Sequence, residues 1–537
     1  MIKEPTEEQR KIIDDTGNIV VTARPGSGKT YTVVEKIARA LEDLYDYQGI
    51  IAISFTNKAS DELKSRCRRK GLQVKSSFFG TIDKFYISQI IIPFASHVTG
   101  KTVDFKIEEN FKNHEQYSGL AKIDDHVSGR NESMLISSLR DGLIFLNISG
   151  ETAMYILQHS AECARYLKAR YKNIFIDEYQ DCGKIEHEIF LQLVKMGITG
   201  MAVGDVNQAI YGFNNRFPKY LISLMSNSSF KHYELTINHR CHESISEYSL
   251  CLYGASSRIT DEKRVYMVNV EGGEKEIANG IDYYLDGIKN KYSILQNCHC
   301  AILCRSNMTV NLMDRYIKTP HKKFDTTKLD KDQSDWARLF IELLRGRFDP
   351  EVSAADIADE FYSYEYEERK YQLAMEQIQV LFDCNINDFK QMQRQFHDIG
   401  EFIYPKSENN KALNELSEIL SDEEQLSTYM PAKENEINIM TIHKAKGLEF
   451  NAVFQMDMYR HIFPFENCSD EDYHQMLNLH YVAVTRAIDV CYLMNGTKRY
   501  NKKQNKLVSA DPSPFYDLPG LEERRNNVYW KLDEISK

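Results

Sequence analysis

The chain has 537 residues, 42% of them apolar and 27% charged, with a formal net charge of −11 and eleven cysteines. That length suits roughly three or four domains of ordinary globular composition. The scattered, odd cysteine count argues for reduced thiols over a disulfide framework, and the net acidity excludes a nucleic-acid contact spread over the whole surface, so phosphates must be met by local patches.

The N-terminus, MIKEPTEEQRK, has no apolar run of the signal-peptide kind, and no segment is long and apolar enough to span a bilayer. A cytoplasmic protein is expected. GNIVVTA then reads as a short buried strand and TYTVVEKIARALE as a helix, with ARPGSGKT between them. This is nearly a phosphate loop, G-x-x-x-x-G-K-[ST], with Ala23 at the position of the first glycine. Backbone N–H groups of such a loop and the helix N-terminus attract phosphate oxygens. Lys29 would reach the β/γ-phosphates and the Thr30 hydroxyl would ligate Mg²⁺. The nucleotide-binding set read here is Ala23, Arg24, Pro25, Gly26, Ser27, Gly28, Lys29, Thr30 and Lys36.

GIIAISFT is a second strand, followed by the basic run KSRCRRK, containing Lys64, Arg66, Arg68, Arg69 and Lys70. Alone, such a run reads as a solvated helix face. Residues 92–170 form an insertion whose end, MYILQHSAECARYLKARYKN, reads helical. NIFIDEYQD follows, with Ile174, Phe175 and Ile176 as a buried strand ending in Asp177 and Glu178. Asp177 would hold Mg²⁺ and Glu178 would act as general base on the attacking water. ITGMAVGD completes the first set of strands. RVYMVNV, CAILCR, INIMTIH, NAVFQMDM and VCYLMNG form a second set, interrupted by a helical stretch at 341–430 that is rich in Glu, Gln, Leu and Ala. Cys298, His299, Cys300 and Cys304 lack the C-x-x-C spacing of a zinc site and read as part of a strand. Alternating apolar strands and helices predict a parallel α/β architecture, and TKRYNKKQNK is a second basic run, near the C-terminus.

The ordered series PTEEQ, GSGKT, ISFTNKASDEL, GTIDKF, IDEYQD, AVGDVNQAIYGF, LTINHRC, AILCRSN, MTIHKAKGLEF and LHYVAVTRA resembles the motifs of UvrD/Rep-type superfamily 1 helicases. The resemblance implies two RecA-like lobes: 1A at 1–91 and 171–245, 2A at 246–340 and 431–537. It also implies a 1B insertion at 92–170 and a reduced 2B-like insertion at 341–430. It further implies that Gln9 reads adenine, His239 stacks on the base, Glu449 touches ribose, Gln208 senses the γ-phosphate, and Arg240 and Arg486 are arginine fingers. Phe55, Thr56, Asn57, Tyr211, Phe213, Thr441 and His443 fall on strand-contacting positions, where aromatics stack on bases without reading sequence. The chain departs from the family's pattern at His239 (usually tyrosine), Phe213 (tryptophan), Asn214 (arginine), Asp83 (histidine) and Asn478–Leu479 (a basic pair). The implied activity is ATP-dependent translocation on single-stranded or tailed duplex DNA with 3′-to-5′ polarity. Short UvrD-like helicases of this build occur in the Gabija anti-phage system beside an ATPase–nuclease partner, so such a partner is also implied. A nucleotide-gated DNA-sensing subunit and a DNA-repair helicase stay open as alternatives.

Overall fold

The computed structural model describes residues 4–54, 57–108, 110–123, 127–208, 218–255, 258–332, 334–350, 352–362, 364–405 and 409–531. It divides into two compact units. The first contains Met1–Glu262, Pro464–Thr485 and Leu518–Leu521; the second contains Lys263–Phe463, Arg486–Asp517 and Glu522–Lys537.

In the first unit the strands are β1 (Ile19–Ala23), β2 (Gly49–Ile53), β3 (Phe78–Gly80), β4 (Lys106–Glu108), β5 (Leu143–Phe145), β6 (Tyr171–Ile176), β7 (Thr199–Gly204) and β8 (Lys231–Leu235). Six of them form a parallel sheet in the order β3-β2-β6-β7-β1-β8, while β4 and β5 pair separately. Successive residues of a strand face opposite sides, and the cores sort accordingly. Val20, Ile51, Ile53, Ile174 and Ile176 pack on one face; Ile19, Val21, Ile50, Ala52 and Phe175 pack on the other. A sheet buried on both faces requires near-continuous apolar strands, which is why IVV, GIIAI and IFI were legible. Helix α1 (Glu7–Asp14) begins with a capping box made by Thr6 and Gln9. Helix α2 (Lys29–Glu42) follows the glycine-rich turn, and α3 (Asn57–Arg69) follows β2. The KSRCRRK run forms the end of α3, where cations complement the negative end of the helix.

The stretch read as helical before β6 forms two helices, Ser149–His159 and Ala161–Arg170. Ser160 leaves the helical conformation and its side chain accepts from the Cys163 N–H, starting the second helix.

The second unit carries β9 (Val265–Val270), β10 (Cys300–Cys304), β11 (His321–Lys323), β12 (Ile437–Thr441), β13 (Phe450–Gln455), β14 (Ala487–Gly496), β15 (Lys498–Asn501), β16 (Lys506–Ser509) and β17 (Asn526–Trp530). Seven strands form a parallel sheet in the order β11-β12-β10-β13-β14-β9-β17. The basic TKRYNKKQNK run is the antiparallel pair β15–β16. Between β11 and β12 the chain is helical, including Asp335–Phe348, Tyr364–Asp383, Gln393–Ile403 and Asn410–Ser421. These helices bury a core of their own around Trp336, Phe340, Phe396 and Leu416. Gly400 makes that packing possible, because a Cβ there would lie 2.6 Å from the Trp336 ring. No helix among the described residues is long and apolar enough to cross a membrane.

Candidate active site

The glycine-rich turn is built between β1 and α2. Ala23 is the last residue of β1, paired with Leu235 of β8 and buried in the core. It therefore sits in the strand, ahead of the turn, where a methyl group is welcome; the turn proper is made by Gly26 (φ 72°) and Gly28 (φ 79°), the left-handed cap of α2. Arg24 N–H donates to Leu235 carbonyl at 3.0 Å and Ser27 N–H to Arg24 carbonyl at 3.1 Å. The Ser27 hydroxyl is buried without a hydrogen-bond partner among the described residues. Thr30 is the second residue of α2.

Gln9 is buried against this turn. Its amide nitrogen donates to Ser27 carbonyl at 3.3 Å and its amide oxygen accepts from Thr6 N–H at 3.0 Å. Glu8, beside it, accepts from the Thr236 N–H at 2.8 Å, tying α1 to the segment after β8. Lys36 lies further along α2, with its ammonium on the carbonyls of Ile13 and Asp15 at the end of α1.

β6 delivers the acids. Asp177 N–H donates to Ile53 carbonyl at 3.0 Å, extending the β2–β6 ladder by one residue. Lys29 pairs with Asp177 at 3.1 Å and with Glu178, all three side chains being mostly buried. Burial pushes the Asp177 carboxyl up, against the pull of Lys29; burial also works against the Lys29 charge, but the two carboxylates outweigh it and hold the ammonium above its usual value. Glu178 takes a left-handed backbone (φ 55°), a costly conformation for a residue with a Cβ. Gln180 donates to the Glu178 carboxylate, and its amide oxygen accepts from Asp205 N–H at 3.0 Å. After β7, Gln208 donates to Asp205 Oδ2 at 2.8 Å. Tyr211, Phe213 and Asn214 lie outside the described residues.

The segment after β8 closes against the turn. His239 N–H donates to Gly26 carbonyl at 2.7 Å, and Asn238 Oδ1 accepts from Arg240 N–H at 3.0 Å and Cys241 N–H at 3.3 Å. A Cβ on Gly26 would fall 2.5 Å from both Arg240 Cβ and Asn238 Oδ1. The structure thus brings Gln9, the turn, Asp177, Glu178, Gln208, His239 and Arg240 together in the first unit.

Thr441, His443, Glu449 and Arg486 belong to the second unit. Thr441 ends β12, and its carbonyl accepts from Lys444 N–H at 3.1 Å. His443 is pushed down to about 4 by burial and by the nearby charges of Arg305 and Lys446. Arg486 is buried, donates to Leu448 carbonyl at 3.2 Å, and accepts from Phe450 N–H at 2.9 Å, next to the exposed Glu449. Phe55 and Thr56 lie outside the described residues, as does the side chain of Asn57, the first residue of α3. Asp83 accepts from the Ser149 hydroxyl at 2.6 Å, an internal bond between the short helix Ile82–Phe85 and the insertion. Cys300 and Cys304 are buried in β10.

Sequence reasoning did not single out Glu8, Gln180, Asp205, Asn238 or Tyr481. All five sit inside stretches that were recognised, and only the fold reveals that they hold the named residues in place.

The chemistry of this set fits a nucleoside triphosphate with a hard divalent cation. A turn with two left-handed glycines, an unpartnered buried hydroxyl and a lysine resting on two carboxylates offers donors for phosphate oxygens and oxygen ligands for the metal. The chain matches the model of the UvrD/REP helicase N-terminal domain over residues 5–142 and 132–227, and that of the UvrD-like helicase C-terminal domain over residues 354–495. It is 28% identical to Gabija protein GajB of Bacillus cereus, over 92% of this chain and 96% of that protein. It is 25% identical to the ATP-dependent DNA helicase PcrA of Staphylococcus aureus (94% and 85%), and 24% identical to a probable DNA helicase II homolog of Mycoplasma genitalium (90% and 83%).

Proposed function

The chain belongs to the UvrD-like helicase family, whose members hydrolyse ATP to act on DNA, and from that premise we propose how its residues divide the work. The observation that carries the reading is Lys29 held between Asp177 and Glu178, with Gln180 and the Asp205–Gln208 pair behind them. ATP binding draws Lys29 from the carboxylates to the β/γ-phosphates. Freed of its cation, Glu178 accepts a proton from the attacking water. Gln208 reports the γ-phosphate, and Arg240, placed against Gly26, meets the charge that develops on the transferred phosphoryl group. Thr30 and Asp177 would hold Mg²⁺, which would neutralise phosphate charge. Gln9 and His239 take the adenine, Glu449 the ribose, and Arg486 serves as the second arginine finger.

On the DNA side, Phe55, Thr56, Asn57, Tyr211, Phe213, Thr441 and His443 track a single strand, with 3′-to-5′ movement. The two sheets act as RecA-like motor lobes, with the insertions as 1B and a reduced 2B. The second insertion presents acids such as Glu423 and Glu424, whose side chains stay 82% and 81% exposed while pairing with Lys390 and Lys323; acids so placed disfavour a phosphate backbone. A monomer is therefore expected to translocate but to separate duplex poorly, and a partner supplies the missing contact. The likeness to GajB supports a nuclease partner in anti-phage defence. Single-turnover unwinding of 3′-tailed and 5′-tailed duplexes by protein shown to be monomeric tests this reading. Weak unwinding with the 3′ tail, none with the 5′ tail, and gain on adding the partner are expected. Efficient unwinding of a few tens of base pairs by the monomer would contradict the partner requirement, and a 5′ preference would contradict the polarity.

A further inference from the structure

Asp205 stands just beyond β7, buried, and its carboxylate is shared by three donors. Oδ1 accepts from Asn207 N–H at 2.9 Å, and Oδ2 accepts from Gln208 Nε2 at 2.8 Å and from the Tyr481 hydroxyl at 3.1 Å. Its backbone N–H donates to Gln180, which donates in turn to the Glu178 carboxylate, where Lys29 also pairs. Tyr481 and Glu178 are thus linked through Asp205, whose carboxylate takes the Tyr481 hydroxyl and whose backbone N–H holds Gln180 against Glu178.

Tyr481 lies on the helix Asp470–Val484, which belongs to the first unit and leads directly into Arg486. The helix is held there a second time, by the Tyr253 hydroxyl donating to Asn478 Oδ1 at 2.6 Å. Asn478 is one of the two residues standing where the family has a basic pair. The rings of Tyr253 and Tyr481 meet edge to face, 5.4 Å apart. Both hydroxyls are thereby aimed by packing, and Tyr481 is itself buried.

We propose that Tyr481 is a positioning residue for ATP hydrolysis: its hydroxyl fixes the Asp205 carboxylate, which sets the amide of Gln208, while the Asp205 residue held in this way keeps its backbone N–H on Gln180 and so supports the carboxylate of Glu178. The inference rests on the reading of Glu178 as general base. A buried carboxylate that loses one of its donors is driven toward protonation. Once protonated it offers an O–H where Gln208 needs an acceptor, and the Gln208 amide loses its orientation. Burial already pushes Asp205 up to about 6, opposed by the bonds from Gln208, Asn207 and Tyr481 and by the charge of Lys29. The titratable and charged groups facing it are Lys29 from α2, Tyr253 from the turn after the helix Glu243–Cys251, and Tyr481.

The test is Tyr481→Phe in the full chain, which deletes the hydroxyl and keeps the ring. Steady-state ATPase is followed with saturating single-stranded DNA from about pH 6 to 9. The expected result is a fall in kcat on the order of tenfold near neutral pH, with KM for ATP unchanged. The acidic limb of the profile moves to higher pH, so the loss shrinks in alkaline buffer. In an Asp205→Asn background, which removes the titrating group, the acidic limb is absent and Tyr481→Phe adds no further loss. A wild-type kcat for Tyr481→Phe at every pH overturns the proposal. So does a pH-independent loss that adds to that of Asp205→Asn, since it marks a structural role only. Glu178→Gln run beside them separates the two ideas. If it turns over at the wild-type rate, the base assignment fails; if it is inactive while Tyr481→Phe is normal, only the role of Tyr481 fails.

Discussion

Gly26→Ala is the most informative single change at the site. Gly26 has φ 72°, and the new Cβ would lie 2.5 Å from Arg240 Cβ and from Asn238 Oδ1. Neither neighbour is the loose end of a side chain: one is attached directly to the Arg240 backbone, and the other is holding the Arg240 and Cys241 N–H groups. The substitution therefore has two effects. Left-handed strain costs about 1–2 kcal/mol, and relief of the clash moves the Asn238–Cys241 segment outward by about 1 Å, since ordinary carbon contacts need about 3.5 Å or more. A displacement of that size at a charge-stabilising group costs about 100-fold in rate. Gly71→Ala separates the effects, because Gly71 has φ 75° and nothing within 4 Å of the added Cβ. Both variants should lose similar stability in thermal melts, while only Gly26→Ala should lose DNA-stimulated ATPase activity. A Gly26→Ala protein with wild-type turnover, or equal activity losses in the two variants, would refute the link between the turn and the Arg240 segment.

Glu178→Gln should bind a fluorescent ATP analogue with near wild-type affinity yet show no turnover, because an amide cannot take the water's proton. Lys29→Met leaves two mostly buried carboxylates without their cation, costing about 3–5 kcal/mol unless one takes up a proton. Its native state then holds a proton that the unfolded chain has lost, so the variant's stability, read from urea melts, should fall as pH rises through the raised carboxyl value; a pH-independent difference from wild type would contradict this. His443, pushed down to about 4 beside Arg305 and Lys446, is neutral near pH 7. A DNA phosphate favours its charged form, so single-strand affinity should rise as pH falls toward about 4, more steeply than in His443→Gln; identical profiles would place His443 off the strand.

The strands legible in the sequence were the central ones. GNIVVTA, GIIAISFT, CAILCR and NAVFQMDM are buried on both faces, and an apolar run is the direct consequence. Within the two large sheets, the strands that escaped notice, β3, β8, β11 and β17, are the outer ones, and the separate pairs β4–β5 and β15–β16 escaped it as well. β8 buries only Leu235 fully, β17 only Trp530, and β11 reads HKK; partly exposed edge strands carry charge and leave no run to detect. The stretch 154–173 reads helical without revealing the break at Ser160, whose capping bond outcompetes helix continuation. At the site, Lys29, Asp177 and Glu178 were readable because their chemistry demands those residue types at fixed places after a strand. Gln180, Asp205 and Tyr481 were not, because their role is set by distances across the fold: Tyr481 reaches Asp205 from 276 positions away.

The central claim, that hydrolysis at this site is tied to DNA, is tested most directly by the ATPase rate of the purified chain with and without single-stranded DNA, with Glu178→Gln as background. The account predicts a rate that rises severalfold or more on adding the strand and a Glu178→Gln rate that stays at background in both cases. Equal rates with and without DNA, both above the Glu178→Gln background, would contradict it.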